Sequence, residues 1–493
     1  MIDNSQTWFT GILQSINDKP VNFRAQIRFN ENNHTIITIF DITNDCVKQI
    51  KECEYCCAVL ALDQGGYISL YDLFVEREVY SDDCIALTLF TTNAIKGNKA
   101  FQVESTFNEF TLEVTDGYEL IGICPYDVNT NYMNIVRCET INIPINISPI
   151  VADTVLGVFR FYSVPAYKFS NSGLSLYFEQ RINFKSVTPI AVRDFSCVLR
   201  KITDFFTLLC GEVVTINRLI LEESTNDSYL SHEFIGFCNY PRTSLHLLQG
   251  NGLDSTNFLR VSVFKISDFS DIGCALNYWF THINSFSLAH KSFLRILLDE
   301  DVKIVTENKF LAAMQLIEGY SSAFQDDNEN LSEFNKKKNK IISQIDNKED
   351  KEFLERNLTF TGTTFRKSVT KFLLEGVQNF ESMSNSAFNK NHDKLVDRIV
   401  NERNLYTHSS NRITQSFNFL ETVNIASICK SFYRANMLKK LGIPEELIKK
   451  RFSHDRSFIA YLEKFFSIKI DPTGNLSGFD KAMCHFSVST IQK

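Results

Sequence analysis

The spacing of apolar residues changes once along this 493-residue chain, and that change bounds the folds open to it. Up to about residue 265, short runs rich in Phe, Ile, Val, Tyr and Thr alternate apolar with polar side chains, as in Phe23–Phe29 (FRAQIRF). Turn residues separate the runs. Glu31-Asn32-Asn33 leads into His34–Phe40, Gln64-Gly65-Gly66 lies between Cys57–Leu62 and Tyr67–Leu70, and Ser170–Gly173 lies between Gly157–Tyr162 and Leu174–Phe178. A period of two buries one face of each strand, which predicts an antiparallel, β-sandwich-like region with room for two sub-domains. After Asp271-Ile272-Gly273-Cys274 the period lengthens. Trp279, Ile283, Phe286 and His290 fall at helical spacings, and Phe310, Ala313, Met314 and Ile317 form an i, i+3, i+4, i+7 stripe that predicts a helix over Thr306–Tyr320. More helices are expected at 365–379, 392–405, 413–440 and 444–467, the last opened by Pro444 and Glu445-Glu446. The charged stretch 326–357 reads as a solvated helix pair or a mobile loop between core helices. The expected class is α+β and multidomain: a β-rich region over 1–265, a connecting helical stretch over 266–300 and an all-α bundle over 301–493.

Composition narrows the function classes. With 44% hydrophobic and 22% charged residues the chain is neither disordered nor a disulfide scaffold, and its 43 Phe point to large aromatic cores. The net charge of -7 hides an asymmetry: residues 1–300 carry -12 and residues 301–493 carry +5, with 12 Lys and Arg against 6 Asp and Glu over 401–470. An acidic β half and a mildly basic helical half call for different partners. The start, MIDNSQTWFTGIL, lacks the basic flank and apolar core of a secretory signal, and no run approaches a membrane span; with 13 irregularly placed cysteines, the expectation is a reduced, cytoplasmic protein with no membrane partner. Cys53, Cys56 and Cys57, with Cys46 upstream, could offer thiolates to zinc, but no second CxxC or His pair follows, and apolar burial is the favoured reading. No metal and no cofactor is therefore expected.

The chain has no GxxxxGK[ST], no GxGxxG opening a helix after a strand, no GxSxG and no HExxH, so nucleotide hydrolysis, dinucleotide redox and those hydrolase chemistries lack support. What remains is Asn401–Ser410 (NERNLYTHSS), which places Arg403 five residues before His408, with Asn404 between them. A guanidinium can fork onto a phosphate, and an imidazole can move a proton near neutral pH. In RNA the 2′-OH already adjoins the phosphorus, so cleavage needs only proton transfer and stabilisation of the phosphorane's charge. On a helix, His408 would sit about 40° from Asn404 but about 140° from Arg403. On spacing alone, helix capping and surface roles stay open beside catalysis.

An Arg-Asn-x-x-x-His motif near the end of a multi-helix unit resembles the signature of the HEPN ribonucleases. More specifically, the chain resembles ApeA-like proteins of bacterial anti-phage defence, which join a β-rich N-terminal domain to a C-terminal HEPN domain. The helical resemblance covers about 300–470, with Phe310–Tyr320 similar to the domain's first helix; the N-terminal one rests on Trp8–Gly11, Leu60–Leu73 and Phe205–Gly211. The resemblance implies that Arg403 holds the scissile phosphate, that His408 acts as general acid or base, and that Asn404 orients His408 or bonds the RNA. It also implies a homodimer or higher homo-oligomer through the helical domain. RNA would be the substrate, tRNA or another structured host RNA among the choices, and the β domain would meet a phage-derived trigger. Glu318 could brace Arg403, although an ordinary exposed Glu is the plainer reading, and Tyr406 could stack on a base or sit in the core.

The expected function is metal-independent RNA cleavage by 2′-OH attack in abortive defence. The alternative is a non-catalytic RNA- or protein-binding or dimerisation scaffold with a ligand-sensing β domain.

Overall fold

The computed structural model describes residues 8–29, 35–52, 56–80, 85–91, 93–101, 105–115, 117–122, 127–130, 138–142, 148–170, 173–225, 228–236, 263–300, 306–324, 328–358, 364–407 and 417–470. These fall into two compact units that divide between Phe280 and Thr281.

In the first unit, alternating strands pair antiparallel into one continuous, curled sheet of fourteen strands among the described residues. In order across it lie Ile150–Asp153, Gly157–Ser170, Gly173–Ala191, Thr106–Val114, Ile216–Thr225, Ser228–Gly236, Asn93–Gly97, Tyr67–Tyr71, Ala58–Leu62, Trp8–Ile16, Lys19–Phe29, Thr35–Ile39, Ile85–Thr91 and Phe74–Tyr80. Register carries the period-two pattern across the strands. Ile27 faces Ile37, which faces Leu89; Leu13 faces Leu60, which faces Ile68; all are buried. Helix α1 (Asn44–Glu52) adds Val47 and Ile50, one turn apart, to this core.

Phenylalanines fill a second core. Phe110 and Phe159 meet Phe184 with ring centroids 5.1 and 4.4 Å apart. After the short helix α2 (Gly117–Ile121), α3 (Val192–Cys210) lays Phe195 on Phe110 and Phe206 on Phe161, with Phe205 edge-on to Phe206. Phe205–Gly211, in a region read mainly as strands, thus ends a helix. Its residues favour strands one by one, but Phe195, Leu199, Ile202 and Phe206 repeat at helical spacing, and tertiary burial overrides weak propensity. Helix α4 (Ile272–His282) closes the core, with Trp279 Nε1 donating to the Lys201 carbonyl at 2.8 Å.

The stretch expected to be helical over 266–300 is broken. A turn at 283–286, where Ser285 Oγ donates to the His282 carbonyl at 2.7 Å, separates α4 from α5 (Ser287–Glu300). The second unit continues with α6 (Thr306–Phe324), α7 (Asn328–Ile342), α8 (Lys348–Asn357), α9 (Phe365–Gln378), α10 (Asn385–Thr407), α11 (Phe419–Lys440), α12 (Glu445–Phe452) and α13 (Arg456–Phe466). The Phe310, Ala313, Met314, Ile317 stripe is buried, and α6 packs on α5, α9, α10 and α11. The charged stretch is the helix pair α7–α8; α8 buries no residue, and Lys338 Nζ donates to the Glu355 and Leu358 carbonyls at its C-terminal end. The helix expected over 444–467 splits at Asp455, whose carboxylate accepts the Phe458 N–H at 3.0 Å and starts α13.

Among the described residues no helix is long and apolar enough to cross a membrane. Nor do three or more His, Cys, Asp or Glu gather there as metal ligands. Cys53 lies outside the described residues; Cys56 is buried, Cys57 turns its thiol toward Asn17 Oδ1 at 3.7 Å, and Cys46 is half-buried.

Candidate active site

Helix α10 presents its buried side through Phe388, His392, Leu395, Ile399 and Glu402, four and three residues apart by turns. Arg403 follows Glu402 and is rotated about 100° from it, so it leaves the helix at the border of the buried stripe. There it meets α6 and α9. Its Nη2 lies 3.0 Å from Oε1 of Glu318, its Nη1 donates to Asn404 Oδ1 at 3.3 Å, and its guanidinium lies 5.2 Å from the centre of the Phe365 ring. The Arg403 side chain is 26% exposed and that of Glu318 39% exposed.

Glu318 is therefore an ion-pair partner and not merely an exposed carboxylate. Asn404 is turned to Arg403: its carboxamide oxygen accepts from the guanidinium. His408 lies outside the described residues, which run through Thr407 at the end of α10 and resume at Phe417. The structure thus joins Arg403, Asn404 and Glu318. Thr407 Oγ1 donates to the Arg403 carbonyl at 2.9 Å within the same turn.

A guanidinium held this way can act on phosphate. One carboxylate contacts it among the described residues, it remains partly open to solvent, and its planar fork is oriented from two sides. A half-exposed ion pair is worth no more than about 1 kcal/mol, so an incoming phosphate can share or displace Glu318 at small cost.

Tyr406 is half-buried, with its ring edge-on to Phe310 at 5.8 Å. Burial foremost, then the neighbouring Glu402 carboxylate, pushes its hydroxyl up to about 12. Glu402, which the motif does not include, is fully buried and accepts the Phe417 N–H at 3.2 Å. Its signal in the sequence is a carboxylate on the apolar stripe of α10. Among the other histidines, His290 is buried with Nδ1 3.2 Å from the Tyr433 hydroxyl, His282 is exposed, and His485 lies outside the described residues.

Compared with protein families, residues 7–279 match ApeA N-terminal domain 1, and residues 311–447, which include Glu318, Arg403, Asn404 and His408, match Apea-like HEPN. Neither the search of curated proteins nor that of solved structures returned a match. The first match alone spans more than half of the chain, and with the second it shows that the protein belongs to the ApeA-like, defence-associated family of HEPN nucleases, an ApeA N-terminal domain followed by a C-terminal HEPN domain.

Proposed function

We propose that this protein is a metal-independent endoribonuclease whose active site is built on Arg403, Asn404 and His408, acting in the cytoplasm in abortive anti-phage defence. The observation that carries the reading is Arg403 at the end of α10, braced by Glu318 at 3.0 Å and by Asn404 at 3.3 Å while still partly open to solvent. In the proposed reaction the guanidinium forks onto the scissile phosphate and balances the charge that develops on the phosphorane. The 2′-oxygen attacks phosphorus as a base takes its proton, the P–O5′ bond breaks, and the 5′-oxygen receives a proton. The products are a 2′,3′-cyclic phosphate and a 5′-hydroxyl. His408 supplies one of the two proton transfers, and its counterpart across a homodimer supplies the other.

RNA is the substrate in this reading, a tRNA or another structured host RNA among the candidates, and the acidic β unit receives a phage-derived trigger. The scaffold reading draws on the same ion pair, since an Arg tied to Glu318 can be purely structural. Incubating wild type, Arg403→Ala and His408→Ala with structured and single-stranded RNA in EDTA separates the two. The ribonuclease reading expects loss of cleavage in both variants at unchanged folding and oligomeric state; the scaffold reading expects three equal results.

A further inference from the structure

A carboxylate that is 0% exposed on the apolar stripe of a helix calls for an explanation, because an apolar side chain would pack there without the cost of desolvation. Glu402 is such a group. Its Oε2 accepts the backbone N–H of Phe417 at 3.2 Å, and its carboxylate stands beside the Tyr406 hydroxyl, whose pKa it helps to raise. These two neighbours belong to different elements: Tyr406 to the last turn of α10, and Phe417 to the entry of α11. One turn before Glu402, Arg398 lays its guanidinium 4.2 Å from the centre of the Phe417 ring and pairs with Glu421 Oε2 at 3.0 Å. Glu421 in turn forms a capping box with Asn418. Arg398 and Glu402 are spaced four residues apart on one face of α10, and both hold the entry of α11.

We infer that Glu402 is a positioning residue for the proposed ribonuclease site, pinning the last turn of α10 to the entry of α11. The inference rests on the ribonuclease reading above. The pinned turn is the one that carries Arg403, whose carbonyl accepts from Thr407 Oγ1 at 2.9 Å, and it leads directly to His408. Holding it fixes the point and direction from which Arg403 meets a phosphate. Stability of α10 comes mainly from the buried Phe388, Leu395, Val396 and Ile399, none of which needs the carboxylate. Loss of Glu402 therefore falls on rate more than on folding, because a displacement of about 1 Å at a reacting group can cost on the order of 100-fold.

The test uses full-length wild type, Glu402→Met, Glu402→Gln and Arg403→Ala, each followed by amide hydrogen exchange and by steady-state cleavage of a structured RNA. Met matches the length of Glu and removes both acceptor oxygens. In that variant, exchange at Phe417 and over 403–407 should rise about tenfold relative to the rest of the bundle. Its kcat should fall at least about tenfold with KM within about twofold. Gln keeps one acceptor oxygen but loses the charge that strengthens the bond, so its exchange at Phe417 should rise less, by about threefold, and its rate should recover to roughly a third of wild type. Unchanged exchange at Phe417 in whichever of the two variants folds overturns the inference. Cleavage that survives in Arg403→Ala contradicts the catalytic assignment of Arg403 instead, and the exchange result still decides whether Glu402 pins the turn.

Discussion

Glu318 Oε1 and Arg403 Nη2 lie 3.0 Å apart, although 85 residues separate them in the chain. One stands on α6 and the other on α10, so the pair is a product of helix packing and not of local sequence. It sets the direction of the guanidinium without enclosing it.

Removing that brace should separate activity from stability. Glu318→Ala is expected to leave unfolding within about 1 kcal/mol of wild type, because the pair is half exposed. RNA cleavage should drop by about tenfold as Arg403 loses one of its two polar restraints. Denaturant unfolding and initial rates on the same preparation check this. An unchanged rate would show that Asn404 alone orients the guanidinium.

The neighbouring position should respond in the opposite way. A Cβ on Gly319 would lie 2.6 Å from the Ala289 backbone nitrogen, so α6 and α5 approach each other too closely there for a side chain. Gly319→Ala should destabilise the helical unit by about 1–3 kcal/mol. Gly376→Ala should act similarly, since its Cβ would collide with the ring of Phe432 on α11. Urea unfolding followed by far-ultraviolet circular dichroism reads both. A wild-type midpoint in either variant would mean that those helices can part without cost.

The β unit should have its own pH response. Burial pushes the Asp204 carboxyl on α3 up to about 7, against the opposing pull of Arg200. The folded state then keeps a proton that the unfolded chain releases above about pH 4, so the contribution of this group to stability is full in acid and is lost between about pH 4 and 7. The full effect is at most on the order of 4 kcal/mol. Asp204→Asn should flatten that decline and raise stability at pH 7.5. Both tryptophans lie in this unit, and Trp279 stands 5.7 Å from Phe205, so tryptophan fluorescence in urea at pH 4.5, 6 and 7.5 reports it. Parallel pH profiles for wild type and variant would contradict the assignment.

Legibility in the sequence followed how local the physics was. Helix α6 was readable because Phe310, Ala313, Met314 and Ile317 repeat on one face and stay buried. Strands such as Thr35–Ile39 were readable because burial alternates along them. Their assembly into one sheet was not, because pairings such as Lys185 with Glu109 depend on contacts far apart in the chain. Arg403 and Asn404 were visible as a motif, whereas the Glu318 contact needed the packing of α6 on α10 to make it definite. Glu402 had a signal, an acidic residue in phase with Leu395 and Ile399, but its partner Phe417 lies 15 residues on, across a helix end.

The chemistry of the cut tests the central claim most directly. Wild type, Arg403→Ala and His408→Ala, matched in fold and oligomeric state, are incubated with a structured RNA in EDTA, and the new ends are identified by mass spectrometry. Wild type should leave a 2′,3′-cyclic phosphate, or the monophosphate from its hydrolysis, opposite a 5′-hydroxyl. Both variants should be slower by about 100-fold or more. Equal cleavage by all three proteins, or a 5′-phosphate on the product, would contradict it.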